Sequence, residues 1–183
     1  MGHSHGGAAL AEVSPQLQSP PRPAAPQGTL LRCDSELVGV LVHDHHRRLV
    51  AIRDIARGTR LFRITGREIA SPSKYSVQVS ASLHLDQECA RDEFELVNRY
   101  FWRYLDHACE PTTMIRDREV IAVRDITEGE GVTFHYCTTE WDMATPFACH
   151  CGSARCLGTI RGARHLTSVQ RRRLARWMPD YLR

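Results

Sequence analysis

Lysine is almost missing from this sequence of 183 residues: of its 24 basic residues only Lys74 is lysine, and the others are arginine. No apolar run approaches the roughly 20 residues of a membrane-spanning helix, and the first residues lack the charged and then apolar pattern of a secretory signal. The formal net charge of +3 is too small to indicate nucleic-acid binding by itself. These gaps predict a cytoplasmic protein that requires neither membrane nor nucleic acid, and the arginine bias indicates a G+C-rich, bacterial genome.

The composition is otherwise that of a globular domain. Hydrophobic residues make up 42% of the chain and charged residues 25%, and the length allows one domain with a tail. Cysteine is the exception, because seven is a high and odd count. An odd number without a secretory signal argues against a disulfide framework. We therefore expect reduced cysteines that serve as buried residues, metal ligands or nucleophiles.

The chain changes character near residue 30. Residues 1–29 hold five prolines among small and polar residues, so they cannot bury enough apolar surface to offset their ordering entropy, and we expect a disordered tail. Beyond it, alternating and β-branched residues predict strands, and two stretches have helical spacing. The predicted strands are 37–42, 48–55, 60–65, 75–79, 112–115, 119–126 and 131–136, and the predicted helices are 90–101 and 167–178. This pattern predicts a mainly β fold with short helices.

Three local patterns refine that prediction. Residues 51–58 recur in similar form as 122–129, which is too little for a repeat architecture and indicates two similar strand–turn–strand corners. Asp117-Arg118 predicts a hairpin turn. The residues His-Asp-His-His at 43–46 predict a solvated hairpin tip more than a metal site, because neighbours on a strand point to opposite faces. The helical spacing predicts that Phe94, Val97 and Phe101 are buried by the first helix, and Val169, Leu174 and Trp177 by the basic second one.

A cysteine cluster is the strongest chemical signal. Cys149, Cys151 and Cys156 place three thiols within eight residues, and zinc favours thiolate ligands in a tetrahedron. A cysteine-containing surface loop is the simpler reading, but exposed clustered thiols are prone to oxidation. Three ligands do not close a structural site, so a fourth is needed. The spacing leaves His150, Cys137 and Cys109 open as candidates.

Three segments together resemble the SET-domain family with its post-SET segment. Residues 103–111, Arg-Tyr-Leu-Asp-His-Ala-Cys-Glu-Pro, are similar to the family signature Arg-Phe-x-Asn-His-Ser-Cys-x-Pro. Residues 129–136, Gly-Glu-Gly-Val-Thr-Phe-His-Tyr, are similar to its signature Gly-Glu-Glu-Leu-Thr-Phe-Asp-Tyr, and Cys149-x-Cys151-x4-Cys156 follows the post-SET cysteine pattern. The resemblance covers roughly residues 37–162 and is greatest to the compact bacterial members.

The resemblance implies a domain organisation. It predicts a SET-type β fold at 30–146 with a threaded (pseudoknot) carboxy-terminal segment, a zinc-binding post-SET loop at 147–162 and a carboxy-terminal basic helix at 163–183. In the family the upstream cysteine joins the three post-SET cysteines around one structural zinc ion. The implied zinc ligands are therefore Cys109, Cys149, Cys151 and Cys156.

The resemblance also implies an active site. The family transfers a methyl group from S-adenosylmethionine, leaving S-adenosylhomocysteine, and the position of its catalytic tyrosine is Tyr136 here. Its hydroxyl is expected to orient the nucleophile, since alignment and electrostatics carry such a displacement. The expected donor-binding residues are Arg47, Arg48, Tyr104, Asp106, His107 and Leu157.

This chain departs from the family at several motif positions. His46-Arg47-Arg48 stands where the family has Gly-x-Gly, and Asp106, Ala108 and His135 replace the signature Asn, Ser and Asp. Three hypotheses follow: a methyltransferase acting on a protein lysine amine, one acting on a small-molecule amine or carboxylate in a biosynthetic pathway, and a catalytically silent module that binds a partner. If lysine is the acceptor, Lys74 is the only side chain on which the enzyme could modify itself.

Overall fold

The computed structural model describes residues 27–87 and 90–183. Most of the predicted tail, residues 1–26, lies outside the described residues, as does Cys89, and the first strand already begins at Thr29. Among the described residues no helix is long and apolar enough to cross a bilayer.

Short antiparallel strands make up most of the fold. The strands are β1 (Thr29–Arg32), β2 (Val38–His43), β3 (His46–Ala51), β4 (Arg60–Arg63), β5 (Arg67–Ile69), β6 (Val77–Gln78), β7 (His84–Asp86), β8 (Asp106–His107), β9 (Thr113–Arg116), β10 (Glu119–Ala122), β11 (Thr133–Phe134), β12 (Phe147–Ala148) and β13 (Thr159–Ile160). Three sheets have the strand orders β1-β2-β3, β4-β10-β9 and β5-β7-β6, and two-stranded pairs join β8 to β11 and β12 to β13. The prediction of a mainly β chain is confirmed.

Helices are few and short. They are α1 (Glu93–Arg99) and α2 (Ser168–Leu174), with 3₁₀ turns at Phe101–Tyr104, Tyr136–Thr138, Ala163–His165, Ala175–Trp177 and Asp180–Leu182. The carboxylate of Asp92 accepts the Glu95 amide at 2.8 Å and caps α1. Thr167 and Gln170 form a capping box at the start of α2. The predicted basic helix is therefore one α-helix of seven residues followed by 3₁₀ turns.

Two tight turns close the hairpins. Asp44 and His45 between β2 and β3 have φ of 46° and 66°, and Asp117 and Arg118 between β9 and β10 have φ of 51° and 69°. Positive φ at both central residues matches the twist of two-residue hairpins, and Asp tolerates it better than most residues. The predicted turn at Asp117-Arg118 and the exposed charged tip at 43–46 are both confirmed.

The two copies of the sequence echo pair with each other. Ile55 and Ile126 exchange both backbone hydrogen bonds, at 2.8 and 2.9 Å. The Gly58 amide donates to the Ala122 carbonyl at 2.9 Å, and the Gly129 amide donates to the Ala51 carbonyl at 2.8 Å. The last residue of each copy thus makes the same hydrogen bond to the first residue of the other. We call residues 51–58 and 122–129 the paired corners. The expectation of similar corners is confirmed, and they lie face to face.

Side chains extend the symmetry of the paired corners. The Asp125 carboxylate accepts the Arg57 amide, and the equivalent Asp54 carboxylate accepts the Glu128 amide, both at 2.8 Å. Gly58 and Gly129 each have φ of 83°, which strains any residue with a Cβ. The two similar eight-residue segments thus form the same type of turn, with the same aspartate hydrogen bond and the same glycine conformation.

Two hydrophobic clusters fill the interior. The larger packs the sheets around Tyr100 and Trp102. The smaller gathers Ile160, Leu174 and Met178 near the cysteines. The predicted burial of Val97, Phe101 and Leu174 is confirmed, and Trp177 packs at the edge of the smaller cluster.

Two predicted core residues are exposed instead. Phe94 is 76% exposed and Val169 is 68% exposed. Val169 precedes Leu174 by five residues, which places the two about 140° apart around a helix and so on different faces. Phe94 lies in the first turn of α1, on a helix too short to bury a full apolar stripe.

Candidate active site and metal centre

The two signature segments meet in one parallel strand pair. In β8 and β11, Asp106 is paired with Thr133 and His107 with Phe134. The Ala108 amide extends the ladder by donating to the Phe134 carbonyl at 3.2 Å. Because the strands run in the same direction, the residues that follow them emerge at the same edge. Cys109 and Tyr136 are therefore brought close together, although 26 residues lie between them.

Tyr136 is held at both ends. Its hydroxyl donates to the Leu105 carbonyl at 2.8 Å, and its amide donates to Nδ1 of His107 at 3.2 Å. Burial raises the pKa of the phenol well above its usual range, and the carboxylates of Asp106 and Glu140 raise it further. Tyr136 is therefore a neutral phenol whose proton is committed to Leu105, and its oxygen lone pairs remain available to accept.

A cleft of about 980 Å³ lies on one side of Tyr136. This volume is at the upper end of the range for small-molecule sites. Its walls come from four regions: the β2–β3 tip with β3, α1, the segment from Arg103 to His107, and residues 149–156, which we call the cysteine loop. The remaining lining residues are Lys74, Tyr75, Tyr136, Met143, Thr145 and Phe147.

Four of the six predicted donor-binding residues line this cleft. Arg47, Tyr104, Asp106 and His107 are in its wall. The other two, Arg48 and Leu157, are not among the lining residues that the structure describes. Arg48 is nevertheless close enough for its charge to lower the Asp106 pKa, and the amide of Leu157 donates to Sγ of Cys109 at 3.4 Å. Their predicted contact with a donor stays a prediction.

The charges in the cleft are unevenly satisfied. Arg47 and Glu93 form an ion pair across its wall. Asp106 has no such partner in the described part of the chain. Desolvation by the surrounding protein raises the pKa of the Asp106 carboxyl, while the positive charges of Arg48 and His46 act to lower it. The cleft therefore offers one free carboxylate and one arginine already engaged by an acid.

A second, smaller pocket of about 70 Å³ lies against the same tyrosine. Leu105 and Tyr136, which the hydroxyl-to-carbonyl hydrogen bond joins, both line the two cavities. Lys74 and Tyr75 also line both. An arrangement in which one tyrosine faces two cavities can bring two different reactants to one point.

The four predicted metal ligands converge. Sγ atoms of Cys109, Cys149, Cys151 and Cys156 all lie within 4.8 Å of one another, so the group could hold a metal ion. Four thiolates around zinc at about 2.3 Å would be separated by roughly 3.8 Å, which is a small contraction of this geometry. Of the other fourth-ligand candidates, His150 is exposed on the cleft wall and Cys137 is buried in the smaller cluster. Neither belongs to the group.

Backbone amides and burial act in opposite directions on the thiols of the cluster. The amides of Leu157 and Gly158 donate to Sγ of Cys109 and Cys156, each at 3.4 Å. Burial raises the pKa of the Cys109 and Cys149 thiols. Burial also acts to raise the pKa of Cys151, but hydrogen bonds from the Cys109 and Ser153 backbone and neighbouring thiols outweigh it and lower the pKa to about 7. Backbone amides aimed at sulfur favour the charged form that a metal needs.

His107 links the two halves of the site. Burial lowers its pKa to about 4, so the ring is neutral near pH 7. Because Nδ1 accepts the Tyr136 amide, the ring proton is on Nε2, which lies 3.3 Å from Sγ of Cys109. The ring therefore donates to that sulfur. The resemblance assigned His107 to donor binding, and the structure shows both ring nitrogens already engaged.

A second group of possible ligands shares Cys109. Ligand atoms of His107, Cys109 and His135 also lie within 4.8 Å of one another. Burial lowers the pKa of His135 to about 3, and the neighbouring His107 and Arg173 act in the same direction. One sulfur cannot close both groups, and the four-cysteine set has the donors that structural zinc prefers. His135 thus remains a buried neutral imidazole.

Sequence reasoning missed two residues of the site. Leu105 contributes only its backbone carbonyl, which no side-chain pattern indicates. Glu140 lines the small pocket although its neighbours in sequence are exposed or polar. The free cysteines outside the cluster fit the expectation of packed residues where described: Cys33 is half-buried and Cys137 is buried.

Comparison with known proteins agrees with this geometry. The family model for the SET domain matches residues 46–137, half of the chain. Methyltransferase flvH of Aspergillus flavus is 42% identical over 67 residues, which cover 34% of this chain and 38% of that protein. The chain therefore spans well under two thirds of the length of this curated relative.

A solved structure shows the same fold. The complex of KRYPTONITE with mCHH DNA, H3(1-15) peptide and SAH has a TM-score of 0.50 at 19% identity, covering 70% of this chain and 30% of that one. The methyltransferase domain of human histone-lysine N-methyltransferase SETMAR has a TM-score of 0.48 at 16% identity, covering 66% and 56%. The first of these likenesses confirms the predicted fold class.

Proposed function

Because the chain belongs to the SET domain family, we propose that it is an S-adenosylmethionine-dependent methyltransferase. The observation that carries this proposal is the position of Tyr136. Its hydroxyl is fixed on the Leu105 carbonyl at 2.8 Å, and both residues line the large cleft and the small pocket. A donor in the cleft and an acceptor in the pocket would meet at this point.

The cleft has groups that fit the donor. S-adenosylmethionine supplies a methyl group on a positively charged sulfur when it is bound. Asp106 would hold the ammonium of its methionine part, since this carboxylate lies in the wall without a basic partner in the described chain. Arg47 would hold the carboxylate after exchanging its ion pair with Glu93. Tyr136 and the Leu105 carbonyl present oxygen atoms to the positive charge.

The acceptor is a neutral amine in the small pocket. An amine needs alignment more than acid–base help once it has lost its proton, so Tyr136 acts by orientation and by its oxygen dipole. A protein lysine side chain is the first candidate acceptor. A small-molecule amine is the second, because the pocket of about 70 Å³ can enclose an amine head group of either origin.

The cysteine cluster binds one structural zinc ion in this proposal. Cys109 follows β8, whereas the other three ligands lie between β12 and β13. Zinc would thus tie the post-SET loop to the active-site strand. Cys149 and Cys151 also line the cleft, so this tie would complete the donor-side wall. The predicted cytoplasmic location, bacterial source and domain boundaries stay predictions.

A partner-binding module without catalysis is a competing function. The observation that favours it is the Arg47–Glu93 ion pair, which occupies the stretch where the family has glycines. Calorimetry with S-adenosylhomocysteine on reduced, zinc-loaded protein separates the two. Binding supports the enzyme, whereas no binding supports the silent module. Methyl transfer to a proteome extract or to a metabolite mixture then divides protein from small-molecule acceptors.

Tyr136→Phe tests the role of the hydroxyl. We expect turnover to fall by at least about a hundredfold, because the variant loses an oriented group at the reacting atoms. Affinity for S-adenosylhomocysteine, measured by calorimetry, should stay within about twofold and serves as the control for folding. Unchanged turnover would remove Tyr136 from the mechanism.

A further inference from the structure

The two cavities at Tyr136 differ in the charge of their walls. Seven residues line the small pocket and not the cleft: Ser73, Ser76, Val77, Trp102, Phe134, Glu140 and Ala144. Glu140 is the one among them that can carry a charge at neutral pH. The inner part of the pocket is therefore apolar or weakly polar apart from a single carboxyl group.

Glu140 is buried without a full counter-ion. Its side chain is 9% exposed, and Oε1 accepts the Gln78 amide at 2.7 Å. Oε2 lies 3.7 Å from Nε2 of His84, whose pKa is lowered by burial, so this imidazole is neutral near pH 7. In the part of the chain that the structure describes, no lysine or arginine pairs with Glu140. A buried carboxylate with so little compensation favours a cationic partner.

Among the described residues that line the small pocket, the cations are two that also line the cleft. Lys74 and Arg103 line both, and each lies over the ring of Tyr75, at 5.1 and 4.3 Å from its centroid. Lys74 is exposed and Arg103 half-buried, so water screens these charges more than that of Glu140. The pocket thus has positive charge at its rim and negative charge inside.

We propose that Glu140 selects an amine as the methyl acceptor, by facing the bound nitrogen inside the small pocket. This proposal rests on the proposed function and excludes the carboxylate acceptors that the sequence left open. A carboxylate acceptor would be repelled by Glu140 at the point of attack. An ammonium group would compensate the negative charge of Glu140, which the neutral His84 does not.

The reaction itself strengthens this interaction. The bound ammonium first loses one proton to solvent, which frees its lone pair. That lone pair forms a bond to the methyl carbon as the carbon–sulfur bond breaks, and the pair of electrons from the broken bond stays on the sulfur of the methyl donor. Positive charge therefore moves from sulfur to nitrogen, and the new ammonium later releases its proton to solvent. A carboxylate on the nitrogen side stabilises charge that develops only in the transition state and product.

Binding of a simple amine tests the proposal without knowledge of the natural acceptor. The probes are n-butylamine, which stays protonated between pH 5 and 8, and butyrate, each added to zinc-loaded protein saturated with S-adenosylhomocysteine and followed by ligand-observed NMR. We expect n-butylamine to bind and butyrate not to bind. Glu140→Gln, which keeps the acceptor for the Gln78 amide, should weaken amine binding at least tenfold.

Matched variants separate charge from structure. Glu140→Asp, which keeps the charge, should restore part of the amine affinity. Glu36→Gln, a change at an exposed glutamate that lines neither cavity, should change nothing. All variants should bind S-adenosylhomocysteine like the wild type. If Glu140→Gln fails to fold, the comparison of n-butylamine with butyrate in the wild type decides alone.

The pH dependence gives an independent readout. Burial raises the pKa of Glu140 to about 7. The titratable groups that face it are His84, Tyr136, Cys137 and Tyr181, and burial keeps each of them neutral near pH 7. Amine affinity should therefore fall as the pH drops through about 7 and be flat in Glu140→Gln.

The outcomes distinguish this proposal from the proposed function. Butyrate binding equal to that of n-butylamine, or an unchanged amine affinity in Glu140→Gln, would overturn the role of Glu140 even in an active methyltransferase. Amine binding that depends on Glu140 without affinity for the methyl donor would keep the amine site and reject the methyltransferase.

Discussion

The paired corners and the cysteine loop solve the same problem by different means. Each joins segments far apart in sequence: residues 51–58 to 122–129 in one case, and Cys109 to residues 149–156 in the other. The corners are held by reciprocal backbone hydrogen bonds and by the buried Ile55 and Ile126. The loop meets the core at the four sulfur atoms, through a few amides and through exposed side-chain contacts of Ser153 and Arg155 with Glu110.

This difference divides the molecule into a self-supporting part and a part that depends on a ligand. Backbone hydrogen bonds and buried isoleucines persist in any solution that keeps the protein folded. Four neighbouring thiolates repel one another unless a cation neutralises them. Because Cys149 and Cys151 line the cleft, the dependent part is the one that borders the reactants.

The largest expected effect is loss of the metal. Cys109→Ser should lower the zinc content from about one ion per chain to near zero, because removal of one of four thiolates leaves the site open. Metal analysis of the purified protein measures this. Cys33→Ser is the matched control, since Cys33 is half-buried outside the cluster and should leave zinc in place.

Hydrogen exchange sharpens the same comparison. Chelator should speed amide exchange in residues 149–158 of the wild type and leave Ile55 and Ile126 protected. If Cys109→Ser keeps its zinc, His150 or Cys137 must supply the fourth ligand. If chelation exposes the corners as well, the molecule is one cooperative unit and the division is wrong.

The second prediction concerns the symmetry of the corners. Ile55→Ala and Ile126→Ala should each lower the free energy of unfolding by about 2–5 kcal/mol. The two losses should agree within about 1 kcal/mol, because Ile55 and Ile126 are 3% and 1% exposed and make the same backbone hydrogen bonds to each other. Denaturant unfolding of zinc-loaded protein gives the values.

Val169→Ala is the control for that pair. Val169 is 68% exposed, so its truncation should change stability by less than about 0.5 kcal/mol. A large difference between the two isoleucine variants would show that the pairing is symmetric in geometry but not in energy.

The smallest expected effect lies in the turns. Asp54→Ala and Asp125→Ala each remove a carboxylate that accepts a backbone amide at 2.8 Å. Because both sites are exposed, we expect a loss of about 1 kcal/mol for each, measured as a shift in the denaturation midpoint. Zinc content should not change. A loss of zinc in either variant would show that the cysteine loop depends on the paired corners.

Part of this fold could be predicted from the sequence. β2 is a continuous apolar run with β-branched residues, which predicts a buried strand, and the Asp117-Arg118 turn has a local conformational cause. The two-residue strands β8 and β11 are too short for any period. The motif resemblance, not periodicity, placed Cys109 and Tyr136 in one site.

The rest depends on contacts between distant residues. Burial of Glu140 comes from packing against Gln78, 62 positions earlier, which no local pattern contains. Phe94 is exposed because α1, with seven residues, is too short to bury a full apolar stripe. Val169 is exposed because it lies on a different face of α2 from Leu174. The pairing of the echo likewise required the three-dimensional path of the chain.

The position of Lys74 has a practical consequence. It is the single lysine of the chain and lies at the rim shared by both cavities. An amine-reactive label will therefore mark one side chain next to the site, apart from the chain terminus. Protection of that label by added compounds, read by mass spectrometry, turns an unusual composition into a screen for what the site accepts.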